Sequence, residues 1–170
     1  MRSLSPVPDE ASGRLESLRI LKRPVSIDAT LLDGTRHRFE VFLGESSADH
    51  AGFERLSELL VRRETFIPAV DESNAGLTWL NTANVVLVRA PAAVDPTPDV
   101  ETLPTEHEIE LRLATGAKLK GIVSYVRPDA YSRITDFLNQ DASPFLRLVD
   151  GETVVFVNKR HVISVSAGER

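Results

Sequence analysis

From Val25 the chain alternates apolar and polar positions. Val25, Ile27, Ala29 and Leu31 share one phase and lead into Asp33-Gly34. Period two places side chains on opposite faces of an extended backbone, so this stretch predicts a half-buried strand running into a turn. The pattern returns at Ile109, Leu111 and Leu113, ahead of Thr115-Gly116. A second alternating stretch follows each turn: Phe39, Val41 and Leu43 in the first case, and Leu119, Gly121, Val123 and Tyr125 in the second. The spacing then changes. Arg55-Leu56-Ser57-Glu58-Leu59-Leu60 and Arg133-Ile134-Thr135-Asp136-Phe137-Leu138 both carry apolar residues at i, i+3 and i+4, which share one face of a short helix.

Phe66 and Phe145 each open a further β-rich stretch. Leu80-Asn81 precedes Val85-Val86-Leu87-Val88, as Val157-Asn158 precedes Val162-Ile163-Ser164-Val165. The third and fourth strands are separated by Asp150-Gly151, a tight hairpin signal, in the second case and by the longer Asp71 to Gly76 turn in the first. The predicted order is therefore β-β-α-β-β-β, twice, an internal repeat. The chain divides into an N-terminal segment 1–24, a repeat at 25–90, a linker at 91–105 and a repeat at 106–170. Pro91, Pro96, Pro98 and Pro104 without apolar periodicity mark the linker as semi-rigid. Leu15, Leu18 and Leu21 predict a helix over 9–22, stopped by Pro24.

Composition narrows the function classes. The formal charge is −5, and it is unevenly spread. Residues 1–24 hold five basic and three acidic groups, 25–90 six and ten, 91–105 none and three, and 106–170 nine and nine. No segment has the strongly basic footprint of a nucleic-acid binder. Cysteine is absent, which rules out disulfides and thiolate chemistry and fits a cytoplasmic location. The N-terminus lacks the apolar region of a secretory signal, and no apolar run approaches the length of a membrane helix.

Catalytic signatures are few. The sequence has no Gly-rich phosphate loop, nucleophile elbow or paired-histidine metal spacing, so neither a cofactor nor a metal is expected. His37, His50, His107 and His161 are too far apart in sequence for a local metal motif. The pairs Asp71 and Glu72, and Asp136 and Asp141, read as turn and helix-cap carboxylates rather than an acid–base couple. Asn81 and Asn158 read as satisfying backbone groups between the last two strands of each repeat; the alternative is a polar ligand site formed by Asn139, Asn158 and Lys159.

Two resemblances add to this. Leu113-Ala114-Thr115-Gly116-Ala117-Lys118-Leu119-Lys120-Gly121 resembles the first segment of bacterial Sm-like proteins of the Hfq type, and Arg160-His161-Val162-Ile163-Ser164 resembles their last. Lys159 stands where that family has an aromatic, and Ala83-Asn84 occupy the corresponding place in the first repeat. The resemblance implies a small barrel and, on the family's pattern, contact of Arg160 and His161 with uridine-rich RNA. In addition, Arg133-x-x-Asp136-Phe137-Leu138-Asn139, Phe145-Leu146 and Asn158-Lys159 resemble a bacterial tandem-repeat domain family without an assigned activity.

The expected fold class is mainly β with short helices (α+β): two tandem small SH3-like or Sm-like barrels. Three functions follow as expectations. The first is a non-enzymatic interaction or assembly module, acting on a protein partner or on further copies of itself, because open sheets leave unpaired edges. The second is RNA binding through the second repeat. The third is an enzyme with an unfamiliar site between the repeats. The candidate ligand or RNA residues are Asn139, Asn158, Lys159, Arg160 and His161.

Overall fold

The structure is a computed structural model that describes residues 22–62, 64–97, 104–126, 134–140 and 143–167. The helix expected over 9–22 lies outside these residues up to position 21, as do Arg133 and Asp141. Among the described residues, ten strands and two short helices make the fold mainly β. The first half holds β1 (Lys22–Leu31), β2 (Arg36–Gly44), α1 (Leu56–Leu60), β3 (Phe66–Asp71), β4 (Gly76–Asn81) and β5 (Val85–Pro91). The second holds β6 (Thr105–Leu113), β7 (Lys118–Tyr125), α2 (Ile134–Gln140), β8 (Phe145–Asp150), β9 (Thr153–Asn158) and β10 (Val162–Ala167). Single turns of 3-10 helix at Thr82–Asn84 and Lys159–His161 link the last two strands of each half. Among the described residues no helix is long and apolar enough to cross a membrane.

The strands form one open sheet in the order β10-β6-β7-β8-β9-β5-β1-β2-β3-β4, antiparallel throughout. The mainly β class expected from sequence is present, and its strands join in one open sheet. The physical reason is the pairing of β5 with β9 across the boundary between the halves, from Leu87 opposite Val157 to Pro91 opposite Thr153. Backbone groups that a self-contained barrel would satisfy internally are satisfied by the other half, as buried polar backbone requires.

Several backbone contacts of the first half have a counterpart in the second. Leu31 N–H donates to Thr35 O and Gly34 N–H to Leu31 O; Leu113 N–H and Gly116 N–H make the same bonds to Ala117 O and Leu113 O. Gly34 and Gly116 share φ of 84°, a conformation that costs glycine little. Leu32 N–H donates to Asn84 O as Ala114 N–H does to His161 O, and Thr82 N–H to Thr65 O as Lys159 N–H does to Pro144 O. In both halves the first strand of the hairpin opened by a Phe matches the next strand in the same way: Phe66 lies opposite Asn81 and Phe145 opposite Asn158.

Two apolar cores share the β5·β9 junction. The first gathers Ile27, Val41, Leu43 and Ile67 with Leu56, Leu59 and Leu60 of α1, and it takes Phe145, Val154 and Phe156 from the second half. The second gathers Ile109, Leu111, Leu113 and Leu148, with Ile134, Phe137 and Leu138 of α2 packed on it half-buried, and it takes Val86 and Leu87 from the first half. Along β9, Val154 and Phe156 serve one core and Val155 and Val157 the other. A strand buried on both faces reads as a continuous apolar run, which is what Val154-Val155-Phe156-Val157 is. Pro24, expected to end a helix, sits in β1 beside Phe42 of β2, in the part of the strand that β5 does not reach.

Residues 91–95, assigned to the linker by sequence, belong to the packed structure. Pro91 ends β5, Ala92–Val94 make one 3-10 turn, and Asp95 is buried. Asp95 Oδ2 accepts from Ser57 N–H at 2.7 Å, at the start of α1. Its Oδ1 accepts from Arg147 Nε at 2.9 Å, and Arg147 Nη2 donates to Asp95 O at 2.7 Å. One carboxylate thus ties a helix of the first half to β8 of the second.

Candidate functional site: the junction and the free edges

Four of the five residues singled out from sequence come together, in the turn that follows β9. Asn158 is buried; its Nδ2 donates to Val85 O at 3.1 Å and Thr82 O at 3.3 Å. Its Oδ1 accepts from Arg160 N–H at 3.1 Å, capping the turn. His161 is also buried, and its Nε2 lies 2.8 Å from Ala83 O. A carbonyl only accepts, so Nε2 carries the hydrogen. Asn158 Nδ2 and His161 Nε2 therefore fasten the second half to the Thr82–Val85 stretch of the first. Lys159 is half-buried and Arg160 exposed at the same turn. Asn139 stands apart: it is exposed on α2, and its Nδ2 donates to Thr135 O at 2.8 Å within the helix.

Among the described residues the corresponding turn of the first half has no such neighbour. Asn81 Oδ1 accepts from Ala83 N–H at 2.9 Å, the same cap that Asn158 makes, but Asn81 is only half-buried and Asn84 is exposed. The strands beside the two turns show the same contrast. Phe145 is 4 % exposed, Val154 0 % and Phe156 2 %, whereas the residues in the matching places of β3 and β4, Phe66, Leu77 and Trp79, are 55 %, 61 % and 63 % exposed. At the other end of the sheet, Ile163 of β10 is 54 % exposed where Val86 of β5 is 0 %. Among the described residues the sheet ends in β4 and β10, neither paired on its outer side; β4 carries the exposed Leu77 and Trp79 and β10 the exposed Ile163. Edge strands of this kind are normally blunted with charge, proline or short length, because their free N–H and C=O groups template pairing.

Phe66, Leu77, Trp79 and Ile163 were not among the residues singled out from sequence. The signal was present in the alignment of the halves, where Leu77 and Trp79 match Val154 and Phe156.

Two concave surfaces accompany these features. One, at the turns beside β1, β2 and β3, is lined by Asp28, Arg36, His37, Arg38, Asp71 and Arg89. Its charges largely answer one another: Arg38 Nε is 3.0 Å from Asp28 Oδ1, and His37 Nδ1 is 3.5 Å from Asp71 Oδ2. The Asp28 carboxylate raises the Arg38 pKa, by hydrogen bond first and by charge second. Asp71 is held below the ordinary carboxylate range, first by the Ser73 hydroxyl and then by the Ser73 N–H, so it is a persistent acceptor and a poor proton donor. The second concavity lies on the junction itself and includes Arg62, Phe145, Asn158, Lys159 and Arg160. Among the described residues no group of three or more His, Asp or Glu is gathered for a metal ion. No protein-family model, curated protein or solved structure matches the chain.

Proposed function

We propose that the chain is a non-enzymatic assembly module that works by strand pairing at the two ends of its sheet. Each half is one copy of a small SH3-like or Sm-like β-β-α-β-β-β unit. The order in the sheet supports this, β5-β1-β2-β3-β4 for one half and β10-β6-β7-β8-β9 for the other. The observation that carries the functional reading is that Phe66, Leu77, Trp79 and Ile163 are exposed at the free edges while their counterparts at the junction are buried. The halves already meet by pairing of β5 with β9, and among the described residues the outer sides of β4 and β10 have no strand beside them. Exposed apolar patches bounded by polar residues mark protein interaction surfaces.

Size-exclusion chromatography with light scattering tests this directly. The full chain is expected to run at a mass above that of one 18.7 kDa chain, or to do so once a binding protein is added. Trp79→Lys is expected to return it to a single chain with an unchanged circular dichroism spectrum. A chain that stays single under all conditions, with the edge residues intact, overturns the reading.

RNA binding has a narrower support. Arg62, Lys159 and Arg160 line one concavity at the junction, beside Phe145. Together with the sequence resemblance these cationic side chains support the reading, although Glu64 lines the same concavity and Arg62 is paired with Glu54. Phosphate neutralisation releases counterions, so binding to uridine-rich RNA would weaken as salt rises and weaken further in a Lys159→Ala, Arg160→Ala double variant. Absence of a salt-sensitive shift removes this reading.

A further inference from the structure

We propose that the concavity over β1, β2 and β5 is a binding site for a phosphate dianion, free or carried as a monoester, held by the guanidinium groups of Arg36 and Arg89. The strand registers place its parts. Arg89 of β5, Asp28 of β1 and Arg38 of β2 lie in one row across the sheet. Thr30 and Arg36 form a second row, two residues along and therefore on the same face. All five residues line the concavity, and none of its lining belongs to β4 or β10, so the site goes beyond the assembly reading.

The surface is formally balanced, with three arginines against Asp28, Asp71 and Glu72. The balance is local, however, because the acids are already engaged. Asp28 Oδ1 accepts from Arg38 Nε at 3.0 Å, and Glu72 adds its charge to the same guanidinium. Glu72 Oε1 also accepts from the Ser26 hydroxyl at 2.6 Å. Asp71 Oδ1 accepts from the Ser73 N–H and hydroxyl, and its Oδ2 faces His37 Nδ1. Among the described residues neither Arg36 nor Arg89 has an ion pair or a side-chain hydrogen bond. Each guanidinium carries five N–H donors in a planar fork, and that fork matches a pair of phosphate oxygens.

The second half shows the same rows with their charges closed. There Ser166, Glu110 and Lys120 lie across the sheet, and Lys118 is opposite Arg112 in the next row. Glu110 answers both lysines: Oε1 is 3.3 Å from Lys118 Nζ and Oε2 is 3.8 Å from Lys120 Nζ. In the first half the shorter Asp28 pairs with Arg38 alone, and Arg89 stands where the second half has a serine. Both unanswered cations are arginines, which grip phosphate bidentately, whereas lysine offers a point charge. Two cations match two negative charges. A phosphoryl group brings them on three oxygens, enough for both forks and the Thr30 hydroxyl, while a carboxylate has one charge and two oxygens. The concavity holds about 680 Å³, the size of a small-molecule site.

Isothermal titration calorimetry of the full chain at fixed ionic strength tests this, with inorganic phosphate, glycerol phosphate and acetate as probes. Saturable binding of phosphate or glycerol phosphate is expected, with acetate weaker by about tenfold or more. Tighter binding of glycerol phosphate assigns a monoester, and tighter binding of phosphate assigns the free ion. Arg36→Gln and Arg89→Gln are each expected to weaken binding by about tenfold or more, the loss of one charge-assisted contact. Lys118→Gln, on the closed row of the second half, leaves it unchanged. Arg36 is exposed and Arg89 half-buried, so Arg36→Gln keeps the fold even where Arg89→Gln disturbs it, and circular dichroism reports on both. Absence of saturable binding overturns the proposal. So does equal affinity for acetate, or a phosphate affinity that Arg36→Gln leaves unchanged.

Discussion

The β5·β9 junction and the outer strands β4 and β10 are built from matching pieces of the two halves, yet one is a core and the other a surface. At the junction, Val154, Phe156 and Val86 are buried, and Asn158 and His161 bond across to the other half. At the ends of the sheet, Leu77, Trp79 and Ile163 are exposed, and Asn81 makes its local cap to Ala83 N–H. The difference shows that the fate of these strands depends on what lies beside them rather than on their own sequence. It also gives each junction residue a control at the opposite end of the same molecule.

The largest separation is expected between Phe156→Ala and Trp79→Ala. Truncating a buried aromatic removes its transfer free energy and leaves a cavity, a loss of about 3–5 kcal/mol. Trp79→Ala, in the single chain, is expected to stay within about 0.5 kcal/mol, as surface substitutions do. Urea unfolding at dilution compares the two, and equal losses would show that the free edge is not free.

Asp95→Ala comes next. Asp95 is buried, while the Arg147 side chain is 25 % exposed, so part of the stranded cation's cost is relieved by water. Removing one partner of a fully buried pair costs about 3–5 kcal/mol, and this exposure brings the expectation down to roughly 2–3 kcal/mol, including the lost acceptor for Ser57 N–H. A change below that of an ordinary surface charge would mean that the residue 91–95 segment does not couple the halves. Asn158→Ala against Asn81→Ala is expected to show a smaller contrast. The first strands two carbonyls at the junction, for about 1–3 kcal/mol. The second loses a cap, for about 1 kcal/mol.

The turns supply the subtlest comparison. In the first half, Asp33 Oδ1 accepts from Thr35 N–H at 2.9 Å and from the Thr35 hydroxyl at 2.6 Å, whereas the matching turn in the second half has Thr115 and Ala117. The Thr35 hydroxyl first, and its N–H second, hold the Asp33 carboxyl below its usual range. A carboxyl with a lowered folded pKa contributes stability above its unfolded value, near about 3.9, and loses it as pH falls through the folded one. Amide exchange at Thr35 is therefore expected to speed up in acid below that value relative to Ala117, which has no such carboxylate. Parallel behaviour of the two amides would remove the distinction. Ala75 has φ of 53° in the β3–β4 turn, where the second half's tighter turn uses Gly151 at 59°. Ala75→Gly is expected to stabilise the first half by up to about 1 kcal/mol, since alanine is strained in that region.

Much of this was legible along the chain. Alternation at Val25–Leu31 and Ile109–Leu113 located the first strands, the Asp33-Gly34 and Thr115-Gly116 pairs located their turns, and the apolar faces of Leu56, Leu59 and Leu60 and of Ile134, Phe137 and Leu138 located the helices. These are local properties, decided by backbone geometry and by which side chains share a face. The Asn158 and His161 roles were not legible as such. An asparagine and a histidine beside two basic residues look alike whether they await a ligand or fasten a neighbour, and only the position of the Thr82–Val85 carbonyls distinguishes the two.

What the sequence determined by itself is the set of elements. What only the tertiary structure decided is which strand lies against which: that β5 and β9 meet, that Asp95 reaches both α1 and Arg147, and that Trp79 stays outside while Phe156 goes in. The physical reason is that strand pairing satisfies backbone groups that every strand carries alike. The partner is then chosen by the apolar surface buried once whole units have come together, a property of the assembled molecule that no single stretch of residues contains.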